Sequence, residues 1–300
     1  MTRLEFIKAG AAGAMFAAVG GCATATGSAA AGRAQFRVGF AGYTFHKFKP
    51  EEVVDLIVKS GAKGLCIKDS FVPFDATPAV IAERMKMLSD AGIVAYGAGP
   101  ISIKNADDMK SKFDYVAALG VPVMVGVPWQ PDPQGRSDWR HMCSSRKLCE
   151  LAAKLAEEYR IDFAIHNHGK DPKYGAPMLY PTPADTFKMI EDLGPRMGLC
   201  MDIAYTSSDG FDPATEIRRF MPRVFDIHLR NISDPHNGSS GTAASLGTID
   251  YLPVFRALAE TGYSRWCGIE LANAFGKGGE TAWLADSVGY FQAMARVVQG

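Results

Sequence analysis

The stretch AIHNHGKD, residues 164–171, places His166 and His168 two apart at the end of a short apolar run, just before Gly169. Side chains two apart on a strand face the same way, so both imidazoles can turn to one side. Further along, similar runs end on Asp202 in MGLCMDI, on His228 in VFDIHL and on Glu270 in WCGIEL. Three of the chain's six histidines thus stand at run ends, beside two acids. Imidazole plus carboxylate is a ligand set for Mn, Zn, Fe or Co, whereas Mg more usually takes an all-oxygen site. A divalent ion held there can grip two adjacent ligand oxygens and stabilise an enediolate. The bland alternative is a set of buried polar groups hydrogen-bonded to one another. For a single histidine that alternative is the stronger. For the set it is the weaker, because buried ionisable groups are costly unless paired or put to use.

These groups are over 100 residues apart in the chain, so the fold must gather them. From residue 35 onward, short apolar runs recur: FRVGFAG (36–42), GLCIKD (64–69), IVAYGAG (93–99), VPVMVGVP (121–128), DFAIHNH (162–168), MGLCMDI (197–203), VFDIHL (224–229) and WCGIEL (266–271). Each is nearly continuous in its apolar character, as in a parallel strand buried on both faces. Amphipathic stretches lie between them. PEEVVDLIVKSG opens on a proline and acids and stops on Gly61, a helix start and stop. TPAVIAERMKMLSDAG, NADDMKSKFDYVAALG, RKLCELAAKLAEEY, TPADTFKMIEDLG, DPATEIRRFM, YLPVFRALAETG and TAWLADSVGYFQAMARVV repeat that grammar. Eight strands alternating with eight helices over about 260 residues predict a single-domain (β/α)8 TIM barrel spanning 35–300. The long connections after runs four and seven both follow strand C-termini, the side on which such a barrel carries its site. An open doubly wound sheet is the weaker choice, since no GxGxxG follows the first run.

With that frame in place, GFAGYTF, LCIKDS, AIHNHG, GLCMDI, DIHL and DSVGYF give the chain a family likeness. It resembles the xylose isomerase-like TIM-barrel family, the sugar phosphate isomerase/epimerase group, and an exported bacterial branch of it. The resemblance covers almost all of residues 36–292. It implies one divalent metal ion held by Glu, Asp, His and Glu at the ends of strands five to eight. His166 stands at the first of these positions, and Asp202, His228 and Glu270 match the others. His168 falls where the family often has a histidine, either orienting a ligand or exchanging roles with His166.

The implied activity is isomerisation or epimerisation of a mono- or keto-sugar by proton abstraction next to the carbonyl. Glu270 is then the expected base, with His168 or Lys68 as the alternative. Lys68 can also neutralise an oxyanion or pair with Asp69, and Trp129 can stack on a sugar ring. The chain departs from the family pattern outside the ligand set. Tyr205 stands where the branch often has a histidine. Arg230 and Asn231, in HLRN, replace the Lys and Asp of an HxKD pattern. SLG (245–247) replaces a Gly-Arg-Gly, and KDSFVP lacks the histidine of a KDFHLP-like stretch. Tyr205, Arg230 and Asn231 are therefore the expected substrate contacts. Two rival readings keep the scaffold: a lyase or hydratase acting on 3-keto sugars or glycosides, and a surface sugar-binding protein without catalysis. An endonuclease-IV-like activity would need more metal ligands and a basic groove.

Composition narrows the partners. Lys+Arg and Asp+Glu are 32 each, which argues against bulk nucleic-acid binding. Residues 1–34 read differently from the rest. A basic start (Arg3, Lys8), an Ala/Gly-rich apolar core and then small residues follow the grammar of an export signal. VGGC resembles a lipoprotein box, which would make Cys22 the lipidated residue of a periplasmic or membrane-anchored bacterial protein. ATATGSAAAGRA then reads as a flexible tether. The expected membrane contact is through that anchor alone, and a homo-oligomer is allowed. None of the remaining five cysteines forms a CxxC pair, and Cys66, Cys200 and Cys267 read as small core residues.

Overall fold

The computed structural model describes residues 35–135, 142–171, 173, 175–271 and 279–300. The leader, with Cys22 and its expected export and lipid attachment, lies outside the described residues. Each apolar run becomes a strand. These are β1 (Arg37–Ala41), β2 (Gly64–Ile67), β3 (Val94–Ile103), β4 (Val123–Gln130), β5 (Asp162–His166), β6 (Met197–Asp202), β7 (Val224–Leu229) and β8 (Trp266–Ile269). Each pairs in parallel with the next. β8 then pairs with β1, Arg37 opposite Trp266 and Phe40 opposite Ile269, which closes the sheet. The result is the expected (β/α)8 TIM barrel.

The helices are α1 (Pro50–Ser60), α2 (Pro78–Asp90), α3 (Ala106–Leu119), α4 (Arg146–Tyr159), α5 (Pro183–Lys188), α6 (Ile203–Ser208), α7 (Pro213–Phe220), α8 (Tyr251–Glu260) and α9 (Glu280–Gln299). Their starts are written in the side chains. Thr77, Asn105, Ser145, Thr182, Asp212 and Asp250 each accept a backbone N–H from the following turn. Gly61 ends α1 at φ 81°, a left-handed cap that suits glycine. Among the described residues no helix is long and apolar enough to cross a membrane.

Two elements differ from expectation. The helix expected over 182–194 stops at Lys188. Two arginines draw out the carbonyls that would continue it: Arg146 donates to Met189 O, and Arg223 to Ile190 O and Leu193 O. Ile190 remains fully buried, so the chain tightens around it. Conversely, α6 follows β6 with no loop, because the Asp202 side chain caps it by accepting the Tyr205 N–H at 3.0 Å.

Two apolar layers follow from closure. The outer one packs strands against helices, with Phe163, Ile227, Leu229, Val254 and Leu258 among its members. The inner one fills the barrel with Cys66, Tyr96, Val123, Val125, Ala164, Cys200 and Phe225. β7 carries a bulge: Leu199 faces Val224, but Cys200 faces Asp226. Since Ile227 and Leu229 belong to the outer layer, the alternation turns Asp226, His228 and Arg230 toward the barrel axis.

Candidate metal centre

Closure brings the ends of β5 to β8 to one rim. His166 closes β5, Asp202 closes β6, His228 lies in β7, and Glu270 follows β8 by one residue. All four are buried, with exposures of 3%, 0%, 0% and 4%. One ligand atom from each lies within 4.8 Å of all the others. His166 Nε2 is 3.0 Å from His228 Nδ1 and 3.5 Å from Asp202 Oδ2. His228 Nδ1 is 2.7 Å from Glu270 Oε2. An ion bonded at about 2.0–2.2 Å holds neighbouring ligand atoms roughly 3 Å apart, which these spacings match. Glu270 Oε2 has no hydrogen bond of acceptable angle despite that short approach, so its lone pair is left facing the cluster. The donor set of two imidazoles and two carboxylates therefore fits one divalent transition ion.

The far nitrogens, His166 Nδ1 and His228 Nε2, are buried without a hydrogen-bond partner. Below His228 sits the Asp226 carboxylate, its Oδ2 3.9 Å from Nε2 and itself unpartnered. Cys200 is also close, since His166, Cys200 and His228 can each place one ligand atom within 4.8 Å of the others.

Arg230 closes the cluster from the other side. Its Nη2 donates to Asp202 Oδ2 at 2.8 Å and its Nη1 to Glu270 Oε1 at 3.2 Å. Its guanidinium lies 4.5 Å from the centre of the Tyr205 ring, and it is 5% exposed. Tyr251 fixes the backbone there by donating to Arg230 O at 2.7 Å.

The charges follow from these neighbours. Burial alone would raise the Glu270 carboxyl, but His228 and Arg230 beside it hold it well below the usual range. Burial also works against Asp202 ionising, and Arg230 with His166 more than offsets that. Burial opposes a charged His228, yet Glu270 keeps its pKa above the ordinary value. His166 is lowered by burial, with His228 adding to the effect. His168 is pushed down to about 3, chiefly by desolvation and then by His166, so it is neutral at working pH.

The other expected residues divide. His168 stacks edge-on against His166, ring centres 4.6 Å apart, and its Nδ1 has no partner. Gly169, at φ 68°, lets the chain turn back directly after it. By position, His166 joins Asp202 and His228, and His168 stands beside them. Lys68 is held by Asp69 at 2.7 Å and by Pro100 O at 2.8 Å. Trp129 stands near the end of β4 and donates to Ser102 Oγ at 2.7 Å. Asn231 departs from expectation. Its Nδ2 donates to Ala244 O and Ile249 O, and its Oδ1 accepts from the Ile232 and Ile249 N–H groups. Its amide is consumed by the loop it braces, so the expected substrate contact gives way to a structural one.

Three residues escape a reading of run ends alone. Asn167 accepts the Asp202 N–H at 2.9 Å, tying the ends of β5 and β6 together. Asp226 is the one charge inside the apolar run of β7. Tyr43, just past β1, lies within electrostatic reach of Glu270, Tyr205 and Arg230, and its hydroxyl pKa is raised by burial and then by Glu270. The signal for the first two was a polar residue flanked by buried ones. Tyr43 had none.

Comparison with known proteins places this geometry. A family model described as xylose isomerase-like TIM barrel matches residues 54–294. The chain belongs to that family. It is 24% identical over 140 residues to the rhizopine catabolism protein MocC of Rhizobium meliloti, covering 42% of this chain and 41% of that protein. It is 26% identical over 163 residues to a Mus musculus protein with the provisional name hydroxypyruvate isomerase, covering 52% and 56%. The chain thus matches about half the length of these curated relatives. Among solved structures, D-psicose 3-epimerase from Clostridium cellulolyticum H10 superimposes with a TM-score of 0.65 at 16% identity, over 88% of this chain and 99% of that one. The IolI protein with a bound zinc atom gives the same four figures. At such identities these structures establish the fold, and the family they share includes sugar isomerases and epimerases.

Proposed function

We propose that this protein is a divalent-metal-dependent sugar isomerase or epimerase that removes the proton next to a carbonyl. The observation that carries the reading is the convergence of His166 Nε2, Asp202 Oδ2, His228 Nδ1 and Glu270 Oε2 at 2.7–3.5 Å spacings on the C-terminal rim of the barrel. The epimerase and isomerase names among its relatives support the reaction class. A divalent ion held there supplies Lewis-acid polarisation of a carbonyl.

The chain's own groups divide the remaining work. Glu270 is the base: its depressed pKa keeps it ionised, and Arg230 on Oε1 fixes which oxygen is presented. His168 is a neutral hydrogen-bonding group, kept unprotonated chiefly by its burial. Its free Nδ1 suits a sugar hydroxyl. Lys68, with one of its three N–H donors beyond Asp69 and Pro100 O, can hold a developing oxyanion. Trp129 offers a ring face for stacking at the same rim.

Elemental analysis of the purified chain should find about one transition metal ion per chain, and His228→Ala should lose it. With metal present, keto sugars incubated in deuterated water should exchange the proton next to the carbonyl. A wild type that binds no metal, or a loaded protein that exchanges no sugar, would sink the proposal.

A further inference from the structure

Arg230 places a permanent positive charge inside the ligand set. Both carboxylates it touches are buried, and so is the guanidinium itself. On Glu270 the two demands are separated, because Arg230 takes Oε1 while Oε2 faces His228. On Asp202 they collide. Arg230 Nη2 takes Oδ2, the same oxygen that faces His166. The other oxygen, Oδ1, already accepts the Tyr205 N–H that begins α6. Asp202 therefore has no oxygen without a competing donor. Stacking on Tyr205 and the bond from Tyr251 to its backbone keep Arg230 in place.

We propose that Arg230 is an internal counter-cation that competes with the metal ion for Asp202 and Glu270 and thereby selects against hard ions. This rests on the metal reading above. Mg2+ draws its affinity from anionic oxygens, and Arg230 withdraws much of their charge. Zn2+ draws on the two imidazoles as well, which Arg230 does not touch, so it loses less. The guanidinium is the right group for the role, since its planar fork reaches two carboxylates at once and it cannot lose its charge.

The experiment is calorimetric titration of the chelator-stripped full chain with Zn2+, Mn2+ and Mg2+ separately, for wild type, Arg230→Gln and Arg230→Lys. Removing the charge should raise Mg2+ affinity by about tenfold or more, with Zn2+ rising only a few-fold. Mn2+ should fall between. Arg230→Lys, whose ammonium can reach one carboxylate only, should show a smaller rise in the same order. If Arg230→Gln does not fold, the lysine variant decides. A Mg2+ affinity that is unchanged or lower, or that rises only in step with Zn2+, overturns the proposal while leaving the metal site standing. If neither wild type nor variants bind any of the three ions, the metal reading falls and this one with it.

Discussion

At the lower end of the barrel interior, Cys66, Tyr96, Cys200 and Phe225 pack together with Trp266 beside them. At the upper rim, the ends of β5 to β8 hold His166, Asp202, His228 and Glu270. Cys200 and Asp202 are neighbours on one face of β6, and so are Asp226 and His228 on β7. The lower end is filled with weakly polar groups whose protons stay on. Burial pushes the thiols of Cys66 and Cys200 well above their ordinary pKa values, so they act as small hydrophobes. The upper end is filled with groups that burial alone would neutralise, and Arg230 with the histidine–carboxylate pairs keeps Asp202 and Glu270 charged. One step along a strand thus separates packing from chemistry. What divides the two is whether opposite charges are close enough to outweigh desolvation.

The largest test of that division is Glu270→Gln. It keeps the shape and removes the charge that both the base role and the His228 and Arg230 pairing use. Proton exchange next to the carbonyl should fall by about 10²–10⁴, the range for a lost general base. Deuterium incorporation followed by NMR reads this directly. An exchange rate within a factor of a few of wild type would move the base elsewhere.

Asp226 is the lower end's exception and gives the next effect. It borders a cavity of about 190 Å³ with Tyr96, Phe225, Arg265 and Trp266. Burial lifts its carboxyl from an ordinary 3.8 to about 6. An acid whose pKa is raised on folding costs stability: nothing well below its unfolded pKa of 3.8, where both states are protonated, and the full amount above about pH 6–7. Asp226→Asn should therefore be more stable than wild type above pH 7, by up to roughly 3 kcal/mol, with the gap closing below pH 4. Denaturant melts at the two pH values check the sign. Metal affinity should move the other way, falling about 10–100-fold, if the carboxylate 3.9 Å beneath His228 Nε2 holds that ring in place through its charge. A variant that gained stability and kept full metal affinity would make Asp226 a packing defect without a task.

The barrel was legible because strands buried on both faces must be apolar throughout, and eight such runs leave few other closures. The same averaging hid Asp226, one charge among five buried neighbours in β7. The run ends pointed to the site because an acid or imidazole there breaks an apolar pattern. They could not separate His166 from His168, since position along a strand does not say which ring meets the neighbouring strand. Register does: His166 pairs with Cys200 and Asp202 with His228. Asn231 misled for a related reason. A polar residue beside a site looks like a contact until the loop it ties, through Ala244 and Ile249, is in view. Helix α6 was missed because its start is Asp202, a residue already assigned to the rim.

The boundary between the two ends is sharpest at Cys200, which predicts the smallest effect. Its thiol fills the interior wall in register with His166 and Asp226. Cys200→Ala removes one sulfur from a fully buried position and should cost about 1–2 kcal/mol, as a small cavity does. It should leave the metal content at about one ion per chain, because four other ligands already converge above it. Yet Cys200 can also reach both His166 and His228, and a thiolate is a strong ligand for Zn2+. If Cys200→Ala lost the ion while Asp202→Asn kept it, the ion would sit one layer lower, between two imidazoles and a thiolate. The carboxylates would then be left to Arg230, and the lower end would hold the metal chemistry.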